Sequence, residues 1–316
     1  MRLARALTLR ILFGVLSLLF ISFVTFVADE VSPGDAVDIL AGEKSTPEQK
    51  ARMREEMGLN RPMLVRYAEY VGKAATGDFG QSYTGTKQPV AEILAQNLPM
   101  TTRLAGLAIT FAAALGIALG TLAAIHENRM ADRAVLTLST FGVTVPNFVL
   151  APLLVYVFCL QLDLLPQTWS PNRVASDVYY LILPVVILAA RPTAMLTRLT
   201  RASMLETMRQ EFIKMAVAKG VPPGRLILRH ALRNAILPVV TAIGTSFGYL
   251  LTGSFVVETA FLLPGIGRET IQAIQERNTP VVQACILATG AMFIFINTVV
   301  DLTLPLLDPR IRESQV

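Results

Sequence analysis

The sequence predicts an all-α, polytopic membrane fold of six transmembrane helices with both termini on the cytoplasmic side. Three observations predict it. The 316 residues are 53% hydrophobic and 16% charged, with a mean hydropathy of +0.53, whereas a soluble domain keeps roughly a quarter of its residues charged. Six stretches, 10–28, 103–125, 134–160, 178–197, 235–257 and 280–304, are apolar over the roughly twenty residues a helix needs to cross the hydrocarbon core. The basic residues gather in the connections between these stretches, as expected of side chains that set membrane orientation. A formal charge of +5 placed this way argues against a nucleic-acid partner and for contact with membrane lipid.

In the first stretch, Arg2, Arg5 and Arg10 precede the apolar run Ile11 to Val27. That run is long for a signal peptide, and Phe26 stands where a cleavage site wants a small residue. Residues 1–28 therefore read as an uncleaved first span whose basic end stays cytoplasmic. Residues 29–97 follow outside, with eleven acidic and eight basic side chains. Within them Thr46-Pro47-Glu48-Gln49 reads as a capping box with proline at the first helical position, and Gly58 as the stop. A second helix starts at Pro62 and ends before Gly77. The other five spans form a core over 98–310 that returns the C-terminus, with Arg310 and Arg312, to the cytoplasm.

The cytoplasmic connection 198–234 is the most informative. It carries Arg198, Arg201, Arg209, Lys214, Lys219, Arg225, Arg229 and Arg233 against Glu206 and Glu211, in agreement with the span count. Leu205, Met208, Phe212 and Met215 recur at three- and four-residue spacings, which predicts one apolar face of a helix. Gly220 supplies a left-handed stop, and Pro222-Pro223 prevent continuation. A second basic helix, about Arg225 to Asn234, leads into the fifth span. Periodicity alone fits a basic interfacial loop equally well, since basic amphipathic helices commonly lie on membranes.

The residues themselves narrow the choice. Glu211-Phe212-Ile213-Lys214-Met215-Ala216-Val217-Ala218-Lys219-Gly220 followed by Leu237-Pro238 resembles the EAA-type loop of ABC importer permeases, here in the binding-protein-dependent DppB/OppB (dipeptide, oligopeptide and nickel) family with its MetI-like bundle. Gly58-Leu59-Asn60-Arg61-Pro62, Gly77-Asp78-Phe79-Gly80-Gln81-Ser82-Tyr83, Arg198-Leu199-Thr200-Arg201-Ala202-Ser203, Leu263-Pro264-Gly265-Ile266-Gly267 and Leu307-Asp308-Pro309-Arg310 extend the likeness over nearly the whole chain. The usual loop opens with two alanines near the acidic residue. Here Phe212-Ile213-Lys214 follow Glu211, a variant common in the peptide subfamily.

The resemblance implies a permease subunit in a bacterial cytoplasmic membrane. Its partners would be a second related permease, two ATP-binding subunits and an extracytoplasmic solute-binding protein that docks near 29–97 and Leu262 to Arg277. Glu211, Phe212, Met215, Ala216, Gly220, Leu237 and Pro238 would couple the bundle to the ATPases, with Phe212 and Met215 as the apolar anchor in their groove. The cargo would be a di- or oligopeptide, with nickel chelates, glutathione and other small solutes as alternatives, and no cofactor is implied.

Residue chemistry bears on the energy source. No G-x-x-x-x-G-K-[ST] loop occurs, so nothing here cradles a nucleotide's phosphates. The spans nearly lack the titratable groups a proton-coupled carrier needs. Asp301, four residues after Asn297, reads as a helix-packing contact, and Asn297 is also a candidate for the pathway. Arg191, followed by Pro192, is the exception. It either faces the translocation cavity and attracts a carboxylate, or pairs with carbonyls that Pro192 frees. Cys159 and Cys285 sit in apolar runs and read as small buried hydrophobes. A membrane-embedded enzyme and an ion channel are the rival classes. Neither His126 nor His230 lies in a nucleophile or metal pattern, and no filter-like segment repeats.

Overall fold

A computed structural model describes residues 2–31, 37, 41, 45–84, 87–170 and 176–307. Arg310 and Arg312, with Asp308 and Pro309 of the C-terminal motif, lie outside the described residues, as do the side chains of Arg2, Arg5 and Asp301. The described chain is helical almost throughout, in the order α1 (Arg2–Val31), α2 (Pro47–Glu56), α3 (Met63–Ala75), α4 (Val90–Ile125), α5 (Met130–Thr144), α6 (Asn147–Gln161), α7 (Asp177–Met208), α8 (Glu211–Ala218), α9 (Pro223–Ala260), α10 (Ile266–Gln275) and α11 (Thr279–Leu307). Helices follow from the apolar solvent, because a bilayer offers no partner to an unpaired backbone group.

Five helices are each long and apolar enough to cross a membrane: α1 from Thr8, α4, α7, α9, and α11 as far as Val300. The stretch read as one span over 134–160 is bent. It is two helices, α5 and α6, meeting at 106°, and the count of six holds when this pair is taken as one broken span. The reason is local. Val145 precedes Pro146 and takes an extended backbone, ψ 117, as the residue before proline must when the ring crowds the helical conformation. Pro184 and Pro192, by contrast, sit buried within α7 without ending it.

The chain divides into two compact units, residues 1–101 with 264–294 and residues 102–263 with 295–316. In the first unit α3 docks on α1 through Tyr67, whose hydroxyl donates to the Leu19 carbonyl at 2.8 Å and lies 2.9 Å from Ser22 Oγ. Phe23 and Phe26 meet the same ring edge-on at 5.2 and 5.6 Å. Helix α2 begins with the predicted capping box at Thr46 and Gln49, and α3 is capped by Pro62. The Gly77-to-Tyr83 motif forms a loop stitched to the start of α11. Asn278, buried, donates to Ser82 Oγ at 2.7 Å and accepts from the Tyr83 amide at 3.0 Å. Thr84 donates to Glu276 at 2.6 Å, which holds that carboxyl below its ordinary range.

Leu262 to Arg277, expected as an external loop, contains α10. Its buried Ile266 and Ala273 join Val90, Ile93, Val281 and Cys285 in an apolar cluster, and the Ile266 amide donates to Thr101 Oγ1 at 2.8 Å.

The second unit is built around α7, the most buried of its helices. Helix α4 approaches it closely because Gly116 and Gly120 have no side chain. A Cβ on Gly116 would stand 2.8 Å from Leu196 Cβ, and one on Gly120 would stand 2.5 Å from the Thr197 carbonyl oxygen. Apolar helices in lipid gain little from hiding from one another and associate by such close contact. Gly120→Ala should therefore cost about 1–3 kcal/mol by overpacking and lower the thermal midpoint of the purified protein. Gly106→Ala, in the same helix but with nothing within 4 Å of its Cβ, should leave the midpoint unchanged or raise it.

Candidate ATPase-coupling site

Helix α8 is eight residues long. It does not continue the preceding span, so the single helical face predicted through Leu205, Met208, Phe212 and Met215 is corrected. Helix α7 ends at Met208, and Gln210 turns to ψ 153 before α8 begins at Glu211. Residues 198–208 belong to α7, and the second basic helix is the first part of α9, joined to the fifth span through a wide π turn at Leu226–Ala231. The spacing persisted across the break because Leu205, Met208 and Phe212 reach one apolar cluster from two helices. That cluster holds Ala124, Met204, Ile213, Ala231 and Ala235.

The cluster defines two sides of α8. Ile213 is buried in it and Phe212 is half-buried against it, and Ala216 one turn on is buried as well. Met215 and Val217 are more than half exposed, with Ala218 and Lys219 beside them. Of the two anchor residues expected for a partner, Met215 faces outward, while Phe212 is mostly committed to its own chain. Val217 was missed. Its exposure depends on where α7 stops, which spacing does not report. Leu237 is half-buried and Pro238 exposed within α9. Asn297 is half-buried on α11.

Gly220 closes α8 at φ 74. Its amide donates to the Val217 carbonyl at 2.9 Å and the Val221 amide to Ala216 at 3.1 Å, the paired bonds that satisfy carbonyls at a left-handed helix end. A Cβ there would meet nothing within 4 Å. At the other end Glu211 lies in the first turn, where a carboxylate complements the helix dipole, and Lys214 pairs with it at 2.7 Å on the open surface.

Helix α7, which leads into α8, carries an ion pair that the sequence did not reveal. Asp132, near the start of α5, is 2% exposed and takes two bonds from Arg201 of α7, Nε at 2.5 Å and Nη2 at 2.7 Å. The Asn128 amide adds a third at 2.9 Å. Sixty-nine residues separate the partners, so no local spacing links them. Arg209, the cap of α7, reaches Glu127 at 3.0 Å. The start of α5 and the loop before it are thus each tied to the helix that leads into α8.

Arg191 lies near the middle of α7 and is exposed. Its guanidinium carbon stands 4.8 Å above the Tyr249 ring of α9. A cation on an aromatic face gains about 0.5–2 kcal/mol. A charge at the bilayer centre costs about 2.5–3.5 kcal/mol or more. Tyr249 alone does not offset the placement.

Among the described residues no group of three or more His, Cys, Asp or Glu could hold a metal, and Cys159 and Cys285 are buried free thiols.

Residues 116–313 match the family described as the inner membrane component of binding-protein-dependent transport systems, and residues 3–105 match its N-terminal membrane component. The chain is 38% identical over 291 residues to the probable peptide ABC transporter permease y4tP of Sinorhizobium fredii, covering 91% of this chain and 92% of that one. It is 36% identical over 302 residues to the glutathione transport system permease GsiC of Escherichia coli K12, covering 95% and 97%. A putative peptide transport system permease of Brucella abortus, BAB2_1050, is 38% identical over 298 residues, 93% and 95% of the two chains.

The site residues differ in what they owe to this chain. Asp132→Ala should cost about 3 kcal/mol, the order expected when one partner of a buried pair is removed, read as a lower unfolding midpoint. Glu211→Ala should change stability by less than about 0.5 kcal/mol, as for an exposed pair.

Proposed function

The chain belongs to the family of inner membrane components of binding-protein-dependent transport systems, and from that premise we propose that it carries short peptides as one permease subunit of an ATP-driven ABC importer. Two peptide-transport relatives at 38% identity over more than nine-tenths of the chain support that cargo. The similarity to GsiC favours glutathione as the second candidate; it too is a small peptide with free carboxylates.

The observation that carries the mechanism is the two-sidedness of α8. A short helix whose buried residues are Ile213 and Ala216, with Ile213 seated in the apolar cluster of its own bundle, moves with that bundle, and its outer edge of Met215 and Val217 suits the helix-in-groove mode of recognition. An apolar edge of this kind at a cytoplasmic connection fits a groove on an ATP-binding subunit, with Glu211 available to a basic residue there. Gly220 lets the chain leave sharply beneath that partner. Nucleotide-driven closure of the paired ATPases would push α8, and α7 and α9 on either side would rock between inward- and outward-open states. The remaining partners of this reading are a second related permease and an extracytoplasmic solute-binding protein seated near residues 29–97 and 262–277. Hydrolysis belongs to the ATP-binding subunits, and both termini lie in the cytoplasm.

Met215→Glu with Val217→Glu should release the ATPase subunits during co-purification while the protein still folds, since both side chains are exposed; retention of the ATPases would refute the docking edge. Gly220→Leu places its Cβ where nothing lies within 4 Å and carries a left-handed penalty of about 1–2 kcal/mol. It should leave ATP hydrolysis measurable and abolish ATP-dependent peptide uptake in proteoliposomes. Comparing uptake of a labelled dipeptide, an oligopeptide and glutathione by the same complex decides the cargo.

A further inference from the structure

Helix α9 exposes an unusual face for a membrane span. From Leu237 to its end the exposed positions are Pro238, Thr241, Thr245, Tyr249, Thr252 and Ala260. The threonines and Tyr249 fall within an arc of about 80° at 100° per residue, so they form one stripe. The opposite face, with Val239, Phe247, Leu250 and Leu251, is buried in the second unit. Lipid-exposed positions look different in this same protein. On α1 they are Leu12, Phe13, Leu16, Phe20 and Phe23. No large aliphatic side chain is exposed on α9 beyond Leu228 among the described residues. Each threonine hydroxyl of the stripe reaches a carbonyl of its own helix, at 3.5, 3.1 and 3.2 Å for Thr241, Thr245 and Thr252. Such bonds make a hydroxyl tolerable in a span but do not explain why every large position on one face lacks an aliphatic.

Arg191 projects from α7 onto the Tyr249 member of this stripe. Ionisable side chains inside membranes almost always face a bundle interior or a water-filled cavity. Among the described residues Arg191 has no hydrogen-bond or ion-pair partner, and the ring covers only one side of the guanidinium. Its N–H donors therefore remain to bind an anion, and a carboxylate fits their planar fork.

We infer that Thr241, Thr245, Tyr249 and Thr252 form a wall of the aqueous translocation pathway, and that Arg191, held on Tyr249, is its binding group for the carboxylate of a passing solute. Assignment of that solute as a peptide rests on the function proposed above, whereas assignment of the wall does not. The hydroxyls supply exchangeable, uncharged hydrogen-bonding groups along the stripe, and Arg191 adds a charged point at Tyr249 that attracts a carboxylate.

The test uses the assembled transporter with Cys159→Ala and Cys285→Ala, and Thr241→Cys, Thr245→Cys or Thr252→Cys introduced singly. Each should react with membrane-impermeant methanethiosulfonates, while Phe20→Cys on α1 stays protected. The sulfonate reagent should react faster than the trimethylammonium reagent at Thr245→Cys and Thr252→Cys, and Arg191→Gln should remove that preference. In uptake, Arg191→Gln should lose roughly tenfold for a free-acid tripeptide relative to its C-terminal amide, the scale of one hydrogen bond to a charged group. Protection of all three cysteines, or their ready disulfide formation with the second permease, would make the stripe a subunit interface and overturn the wall. Labelling with no charge preference, or with a preference that survives Arg191→Gln, would overturn the role of Arg191. A wild-type complex that moves neither peptide would remove the peptide cargo, and the labelling would still decide the wall and its charge.

Discussion

Everything in this chain follows from the lack of a hydrogen-bonding solvent where most of it resides. Backbone groups must be satisfied within each helix, so the spans are helical even where proline intervenes, as at Pro184 and Pro192 of α7. The same solvent provides little drive for helices to pack, because one apolar surface is as well covered by lipid as by another helix. Association then depends on close approach. At Gly116 and Gly120 the missing side chains let α4 come against the backbone of α7, and α7 is accordingly the centre of its unit. Proline is still decisive at one place, where Val145 before Pro146 turns a predicted span into two helices.

Charges are used sparingly, and their placement divides by purpose. The Asp132–Arg201 pair is buried, bidentate and reinforced by a backbone amide, so it holds the start of α5 to the end of α7. Arg209 and Glu127 repeat the link nearer the surface. In the coupling role proposed for α8, a short helix would pass on a push only if its mounting did not yield. These two ties, with Ile213 sunk in the cluster beneath, would give α8 such a mounting. Glu211 and Lys214, in contrast, meet in the open and contribute little to the chain's own stability, which leaves Glu211 available to another polypeptide.

In the first unit the loop motif around Gly77 to Tyr83 gains its meaning from a single buried amide. Asn278 joins the loop, through Ser82 and Tyr83, to the junction of α10 and α11. Ile266 and Ala273 of α10 fall into the cluster that also receives α4 and α11. Residues 29–97 and 264–277 are thus parts of one compact unit rather than separate loops.

The sequence alone determined the solvent and hence the class: apolar runs of span length, the capping box at Thr46, the stops at Gly58 and Gly220, and the order of short motifs that marks the family. These are local properties, set by composition, by hydrogen bonds three to five residues apart, or by one residue's backbone freedom. Tertiary structure decided what depends on residues far apart in the chain or on which way a helix faces. Spacing showed that Phe212 and Met215 were apolar but not that one turns inward and the other outward, because that orientation is set where α7 ends at Met208. It gave no sign that Asp132 meets Arg201, or that the threonines of α9 share an exposed face with Tyr249, on which Arg191 rests, since a hydroxyl every three or four residues has the same period whether it is buried against a neighbouring helix or exposed.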